Sequence, residues 1–172
     1  ETTVFHSNGF GGAAFARFAK RGAFHAIVDL TPHEVTRLHL AGAHVDMPDR
    51  FNVAAGVPRI MLPGGTNFIG LGEKALVPQK YLDRPHYEHS GLFTHAKITV
   101  QEMEQVAAAL AEALNAAPKT AAMIVPMGGF SHQDYPGGAI EDPALRAVFL
   151  ETAKAHLDPK VRLLVLAAHI SS

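Results

Sequence analysis

Four polar stretches concentrate the residues whose types could do chemistry: "HSNGFGG" from His6 to Gly12, "DLTPHE" from Asp29 to Glu34, "PGGTNF" from Pro63 to Phe68, and "PMGGFSHQDYPGG" from Pro126 to Gly138. In the first, Gly9, Gly11 and Gly12 offer backbone N–H groups at the start of a helical pattern. Missing side chains permit close approach there, and the helix dipole favours phosphate or carboxylate. Ser7 and Asn8 add hydrogen-bonding groups. The run lacks the third glycine of a dinucleotide fingerprint and the Lys-Ser/Thr of a P-loop, so the residues alone leave an anion cradle and a plain strand-to-helix turn both open. Of the 11 histidines, His6, His33 and His132 sit in or beside these loops, with Asp29, Glu34 and Asp134 near them. Such a set suits a divalent metal or acid and base catalysis, although no close-spaced signature such as HExxH is present. Ser131, His132 and Asp134 are the residue types of a hydrolytic triad. Neighbours in sequence rarely take triad geometry, and GxSxG is absent.

The elements that must position these residues alternate along the chain. Nearly continuous apolar runs at 2–6, 25–30, 59–63, 121–127 and 161–167 suit strands covered on both faces, as in a parallel sheet. Helical patterns lie between them. Gly12 to Arg21 carries the first, and Thr31 to Leu40 follows with Thr31 as N-cap and Pro32 in the first turn. Val100 to Asn115 is the clearest, with Met103, Val106, Ala107, Leu110 and Leu114 in one stripe behind a Thr99/Glu102 capping box. Pro143 to Leu157 follows Asp142 as N-cap, with Leu145, Val148, Phe149 and Ala153 facing inward. Strands alternating with helices predict an α/β fold, a three-layer Rossmann-like sandwich on a mainly parallel sheet of at least five strands. Ligands then bind at the carboxyl ends of the strands, where all four polar stretches fall. Residues 64–98 show no sustained period and read as a functional or covering segment. Its apolar residues Phe68, Ile69, Leu71, Tyr81, Tyr87 and Phe93 are expected to form a surface patch or to cover a neighbour.

Composition narrows the classes. A chain of 172 residues with 48% hydrophobic content supports one buried core, and the expected organisation is a single α/β domain over 1–172. With 15 Lys and Arg against 16 Asp and Glu, the net charge of −1 argues against nucleic acid and polybasic membrane surfaces as partners. There is no cysteine, which excludes disulfides and thiolate metal sites. No apolar run approaches the roughly 20 residues needed to span a bilayer, and no signal-peptide pattern opens the chain. A cytoplasmic location is the simplest expectation. The start at Glu1 rather than Met suggests a part excised from something larger.

The motifs "VFHSNGFGG", "DLTPHE", "PDRFNVAAGVPRIMLPGGTNF", "PMGGFSHQDYPGG" with "EDP" after it, and the terminal "HI" resemble, in order, the carboxyl-terminal half of the tomato mosaic virus resistance protein-like (Tm-like) family of ATP-binding proteins. The resemblance covers essentially the whole chain. It implies a two-domain protein whose first half, of similar α/β build, lies outside this sequence, together with ATP and Mg2+ as cofactors and a homo-oligomer as assembly. The antiviral role of the plant relative does not carry over. By resemblance the site takes in His6, Gly9, Gly11, Gly12, Asp29, Thr31, Glu34, Asn67, Ser131, Asp134, Gly137 and Gly138. The chain departs at its end, where the family's His-Ile-Asn-Asp is replaced by His169, Ile170, Ser171 and Ser172.

Two functions of different class follow as expectations. The first is a binding domain for a phosphate- or carboxylate-bearing small molecule such as a nucleotide, with the Gly9, Gly11 and Gly12 amides on the anion and Asn67 orienting the ligand. Glu34 or Asp134 would then contact a metal or a sugar hydroxyl. The alternative is a metal-assisted hydrolase or lyase acting on a small organic acid, with His6 or His132 as acid and base and Glu34 as partner. A third reading makes the domain chiefly a dimer interface.

Overall fold

A computed structural model of the chain describes residues 1–6, 10–42, 50–51, 57–117 and 120–172. Its elements run α1 (Phe10–Lys20), β1 (Ile27–Asp29), α2 (Glu34–His39), β2 (Arg59–Met61), β3 (Phe68–Leu71), a 3-10 turn (Lys74–Leu76), α3 (Gln79–Leu82), β4 (His86–Ser90), β5 (Phe93–Lys97), α4 (Val100–Asn115), β6 (Ala121–Pro126), α5 (Pro143–His156) and β7 (Arg162–Leu166). Four strands form a parallel sheet in the order β1-β2-β6-β7, and three form an antiparallel sheet in the order β3-β5-β4. The α/β class, with helices packed on a parallel sheet, stands as the sequence predicts and is consistent with a Rossmann-like three-layer fold.

Local signals fix the two long helices. At α4 the Thr99 hydroxyl accepts from the Glu102 amide at 3.2 Å while the Glu102 carboxylate accepts from the Thr99 amide at 2.8 Å. Two of the unpaired N–H groups of a helix start are thereby satisfied. The expected stripe of Met103, Val106, Ala107, Leu110 and Leu114 is buried. At α5, Asp142 accepts from the Leu145 amide at 2.9 Å and Pro143 opens the first turn. Both helices, with Val35 of α2, share one core with Met61 of β2 and Met123 of β6. A smaller cluster joins Phe15 and Ala19 of α1 to Ile27 of β1.

Three expectations need correction. Residues 2–6 form no strand among the described residues, and Val4 is 80% exposed. An apolar run makes a strand only where a partner strand completes its hydrogen bonds, so the described parallel sheet has four strands rather than five. Second, α2 starts at Glu34, not at Thr31, and no side chain caps it. A turn intervenes, in which the Val35 amide reaches the Pro32 carbonyl and the Thr36 amide the His33 carbonyl. Third, the stretch without period folds into the antiparallel sheet, whose pairings join distant residues such as Phe68 with Lys97. Phe68, Ile69, Leu71 and Tyr81 are buried there, while Phe93 stays exposed.

Candidate functional site

Because β1, β2, β6 and β7 all run the same way, the loops that follow them meet along one rim of the sheet. Backbone hydrogen bonds knit the loops together. The Gly64 amide donates to the Leu30 carbonyl at 3.1 Å, the Gly65 amide to the Phe130 carbonyl at 2.7 Å, and the Gly128 amide to the Ala168 carbonyl at 2.8 Å. Glycine is required for these approaches. A Cβ at Gly64 would overlap the Leu30 carbonyl, and Gly65, at φ +69°, lies against His33. The "PGG" of the third stretch therefore serves loop-to-loop contact.

Buried charge lies beneath the rim. Arg50 grips Asp29 with two hydrogen bonds, at 2.8 and 2.9 Å, and Arg59 adds a third at 3.3 Å while donating also to the Phe51 carbonyl at 3.0 Å. Burial lowers the Arg50 pKa, but the hydrogen bonds and charge of Asp29 outweigh it and leave the guanidinium above its ordinary value. For Arg59 burial prevails and the shift is downward.

The network is not fully satisfied, since Arg50 Nε and Arg59 Nε lack hydrogen-bond partners, and Glu34 is its least served member. Its side chain is buried, yet neither carboxylate oxygen has a hydrogen-bond partner; the nearest cation, Arg50 Nε, stands 3.5 Å away, and His33 Nδ1 stands 3.9 Å away. Burial raises its pKa above the usual carboxylate value, with the charge of Arg50 opposing. Two further buried atoms on neighbouring loops also lack partners, Asn67 Oδ1 and Ser131 Oγ. Buried polar atoms are nearly always paired, so three orphans on three adjoining loops mark this rim.

The other predicted residues fall into different environments. Asp134 is buried, but its carboxylate is occupied. It accepts from the Phe130 amide at 2.9 Å, from the Asp142 amide at 3.2 Å, and from Arg146. Burial nonetheless raises its pKa. Asp134 thus closes the "FSHQD" loop on itself and anchors the start of α5. His132 and His6 are both exposed, and the histidine beside Glu34 is His33. Thr31 is half-buried. Ser7, Asn8 and Gly9 lie outside the described residues. Gly11 approaches its own chain closely enough that a Cβ would overlap the His6 carbonyl, and Gly12 is buried. Gly138 is packed against the Gln133 carbonyl, whereas Gly137, at φ +85°, faces open space. Among the described residues, no group of three His, Asp or Glu side chains is arranged to hold a metal ion.

Sequence reading did not single out Arg50 and Arg59, although both lie in the quoted "PDRFNVAAGVPRIM". Nor did it find a column of rings in which Phe68 stacks on His95 at 4.0 Å and His95 on His89 at 4.9 Å, with Tyr87 Oη 2.8 Å from His95 Nδ1. Burial pushes the Tyr87 phenol up to about 12. Tyr87 and His95 face each other across β4 and β5, a pairing that no short-range spacing encodes.

Fold and rim together define an α/β domain whose strand-end loops bury a cluster of polar groups. The chain belongs to the uncharacterised protein family UPF0261, whose C-terminal domain matches residues 1–172. It is 28% identical over 174 residues to a UPF0261 protein of Brucella suis, covering 100% of this chain and 42% of that protein. A UPF0261 protein of Clostridium tetani is 30% identical over 158 residues, 88% of this chain and 39% of its own length. The ToMV resistance protein Tm-1(GCR237) of Solanum lycopersicum is 30% identical over 145 residues, 83% of this chain and 19% of that protein. The chain therefore spans less than half the length of these relatives. Among the described residues no helix is long and apolar enough to cross a membrane.

Proposed function

We propose that this domain forms one wall of a small-molecule site at the carboxyl ends of its parallel sheet, and that the ligand carries a phosphate or carboxylate together with hydroxyl groups, as a nucleotide does. The observation that carries the reading is the set of unpartnered buried atoms, the Glu34 carboxylate oxygens, Asn67 Oδ1 and Ser131 Oγ, on the loops after β1, β2 and β6. An isolated buried acceptor costs roughly 1–3 kcal/mol, a cost that a donor on a bound molecule removes. Glu34 and Asn67 suit sugar hydroxyls. The glycine loop at the start of α1 suits the anion. The resemblance to Tm-like proteins makes ATP the first ligand to test. For Mg2+ the described residues fit poorly, because the Asp134 carboxylate already serves three donors in the chain and Glu34 is the single carboxylate left.

The test is calorimetric titration of the full-length protein with ATP, ribose 5-phosphate and inorganic phosphate, with and without magnesium. The expected outcome is saturable binding of at least one of them, weakened tenfold or more by Asn67→Ala and by Glu34→Gln. Absence of binding to all three, or variants that bind as the parent does, would falsify it. A second reading, acid-base chemistry on a small organic acid, is favoured by one feature. Glu34 combines a raised pKa with His33 at 3.9 Å, a pair able to exchange a proton with a substrate. Turnover of an organic acid that disappears in Glu34→Gln would support it over binding alone.

A further inference from the structure

The parallel sheet advances in one direction only, β1-β2-β6-β7. Right-handed crossovers that always step the same way place their helices on the same face. The packing agrees, since α2, α4 and α5 share their core with Met61 and Met123, which occupy one cross-strand row with Asp29. The next row, on the opposite face, is Val28, Ile60 and Ala122. There Val28 is 60%, Leu30 54%, Ile60 37% and Leu166 45% exposed. The row meets a charged residue only at Arg162 on the outer strand. A sheet face meant for water alternates polar side chains outward, whereas parallel strands that are apolar on both faces belong under cover on both.

We propose that this bare face is the docking surface for the part of the full-length polypeptide lying outside residues 1–172, seated on Val28, Leu30, Ile60 and Leu166 as a helical layer with its own apolar stripe. Two observations choose this occupant over a second copy of the domain. The chain spans only 42% of the Brucella suis relative, so more than half of such a polypeptide is available to supply the layer. The exposed row also includes an inner strand, β2, rather than an edge alone. An inner strand needs its cover whenever the domain folds, and a tethered segment is present at every protein concentration. The missing layer is the one that completes a three-layer sandwich over this sheet.

Residues 1–172 contain no cysteine, so a single introduced thiol can be followed here without competition. Ile60→Cys and Val28→Cys are made separately in the full-length protein, and alkylation of the new thiol is timed by peptide mass spectrometry in native buffer and in urea. The expected result is a native rate at least tenfold below the unfolded rate, unchanged on tenfold dilution of the protein. A native rate within about twofold of the unfolded one would show the face open to water and overturn the proposal. Protection that disappears on dilution would overturn it too, since a second copy would then be the cover. Should either thiol disturb folding, carbene footprinting of the unaltered full-length protein reads the same side chains: weak labelling of Val28 and Ile60 supports the proposal, and labelling as strong as in urea defeats it.

Discussion

Glu34 is buried with only one cation near its carboxylate among the described residues, Arg50 Nε at 3.5 Å. Its carboxyl is buried without a hydrogen bond, and burial raises its pKa. The folded chain therefore holds this proton more tightly than the unfolded chain, whose value lies near 4.5. Stability consequently declines as pH rises from the unfolded value to the raised folded one, and above that the decline is complete. Glu34→Gln, neutral at every pH, removes the decline. Urea unfolding between about pH 4 and pH 8 should give a flatter profile for the variant, which should exceed the parent by about 1 kcal/mol at neutral pH. A parent-to-variant difference that does not change with pH would show that Glu34 does not titrate in this way. A buried carboxyl that lowers stability among the strand-end loops is what the proposed site would require. Asp29 behaves oppositely. It holds Arg50 in a two-bond grip and takes a third bond from Arg59, all out of water. Asp29→Ala would leave two buried guanidinium groups without that carboxylate, at a cost of about 3–5 kcal/mol, read as a lower urea midpoint. In the sequence, Glu34, Asn67 and Ser131 were visible as polar residues in strand-end loops. The grip of Arg50 on Asp29 was not, because 21 residues separate the pair and only the folded loops bring them together.

At the scale of elements, legibility followed the range of the interactions that form each one. The helix Val100–Asn115 could be read because its signals, a 3.6-residue stripe and a cap three residues long, are local. Its cap is also testable. Thr99→Ala removes the hydroxyl that accepts from the Glu102 amide and should cost about 1 kcal/mol in urea unfolding, while Thr99→Ser should cost much less. Equal losses would mean that the methyl group, not the hydroxyl, matters. The antiparallel sheet could not be read because β4 and β5 carry His86, Tyr87, His89 and His95 rather than alternating aliphatics, and because β3 pairs with β5 across the intervening α3 and β4. The run at 2–6 failed for the complementary reason. It has strand composition but no strand beside it among the described residues. The loop glycines were legible as close-approach positions, and what approaches several of them is the chain itself. At Gly11 the neighbour is the His6 carbonyl, so a side chain there would disturb the corner before it could block an anion.

For the whole molecule, the parallel sheet poses the largest question, because its helices pack against the row of Asp29, Met61 and Met123 while the row of Val28 and Ile60 lies open. The sequence announced four of the five apolar strands it predicted; its expectation that they are covered on both faces does not hold, because among the described residues only one face is covered. If the remainder of the full-length protein covers the other, the same strand position must behave as a core position there. Val28 tests this well, since Val28→Thr keeps the shape and the β-branching and changes only a methyl group into a hydroxyl. Facing water, as Val28 does at 60% exposure in the domain alone, the hydroxyl is solvated and the substitution is nearly neutral. Under a helical layer it enters an apolar interface without a partner and costs about 1–3 kcal/mol. The expected result for the full-length protein is a clear fall in the urea midpoint at unchanged slope, because stability changes and the surface exposed on unfolding does not. A change within about 0.5 kcal/mol, the range of ordinary surface substitutions, would place Val28 in solvent and leave this face of the sheet without a cover.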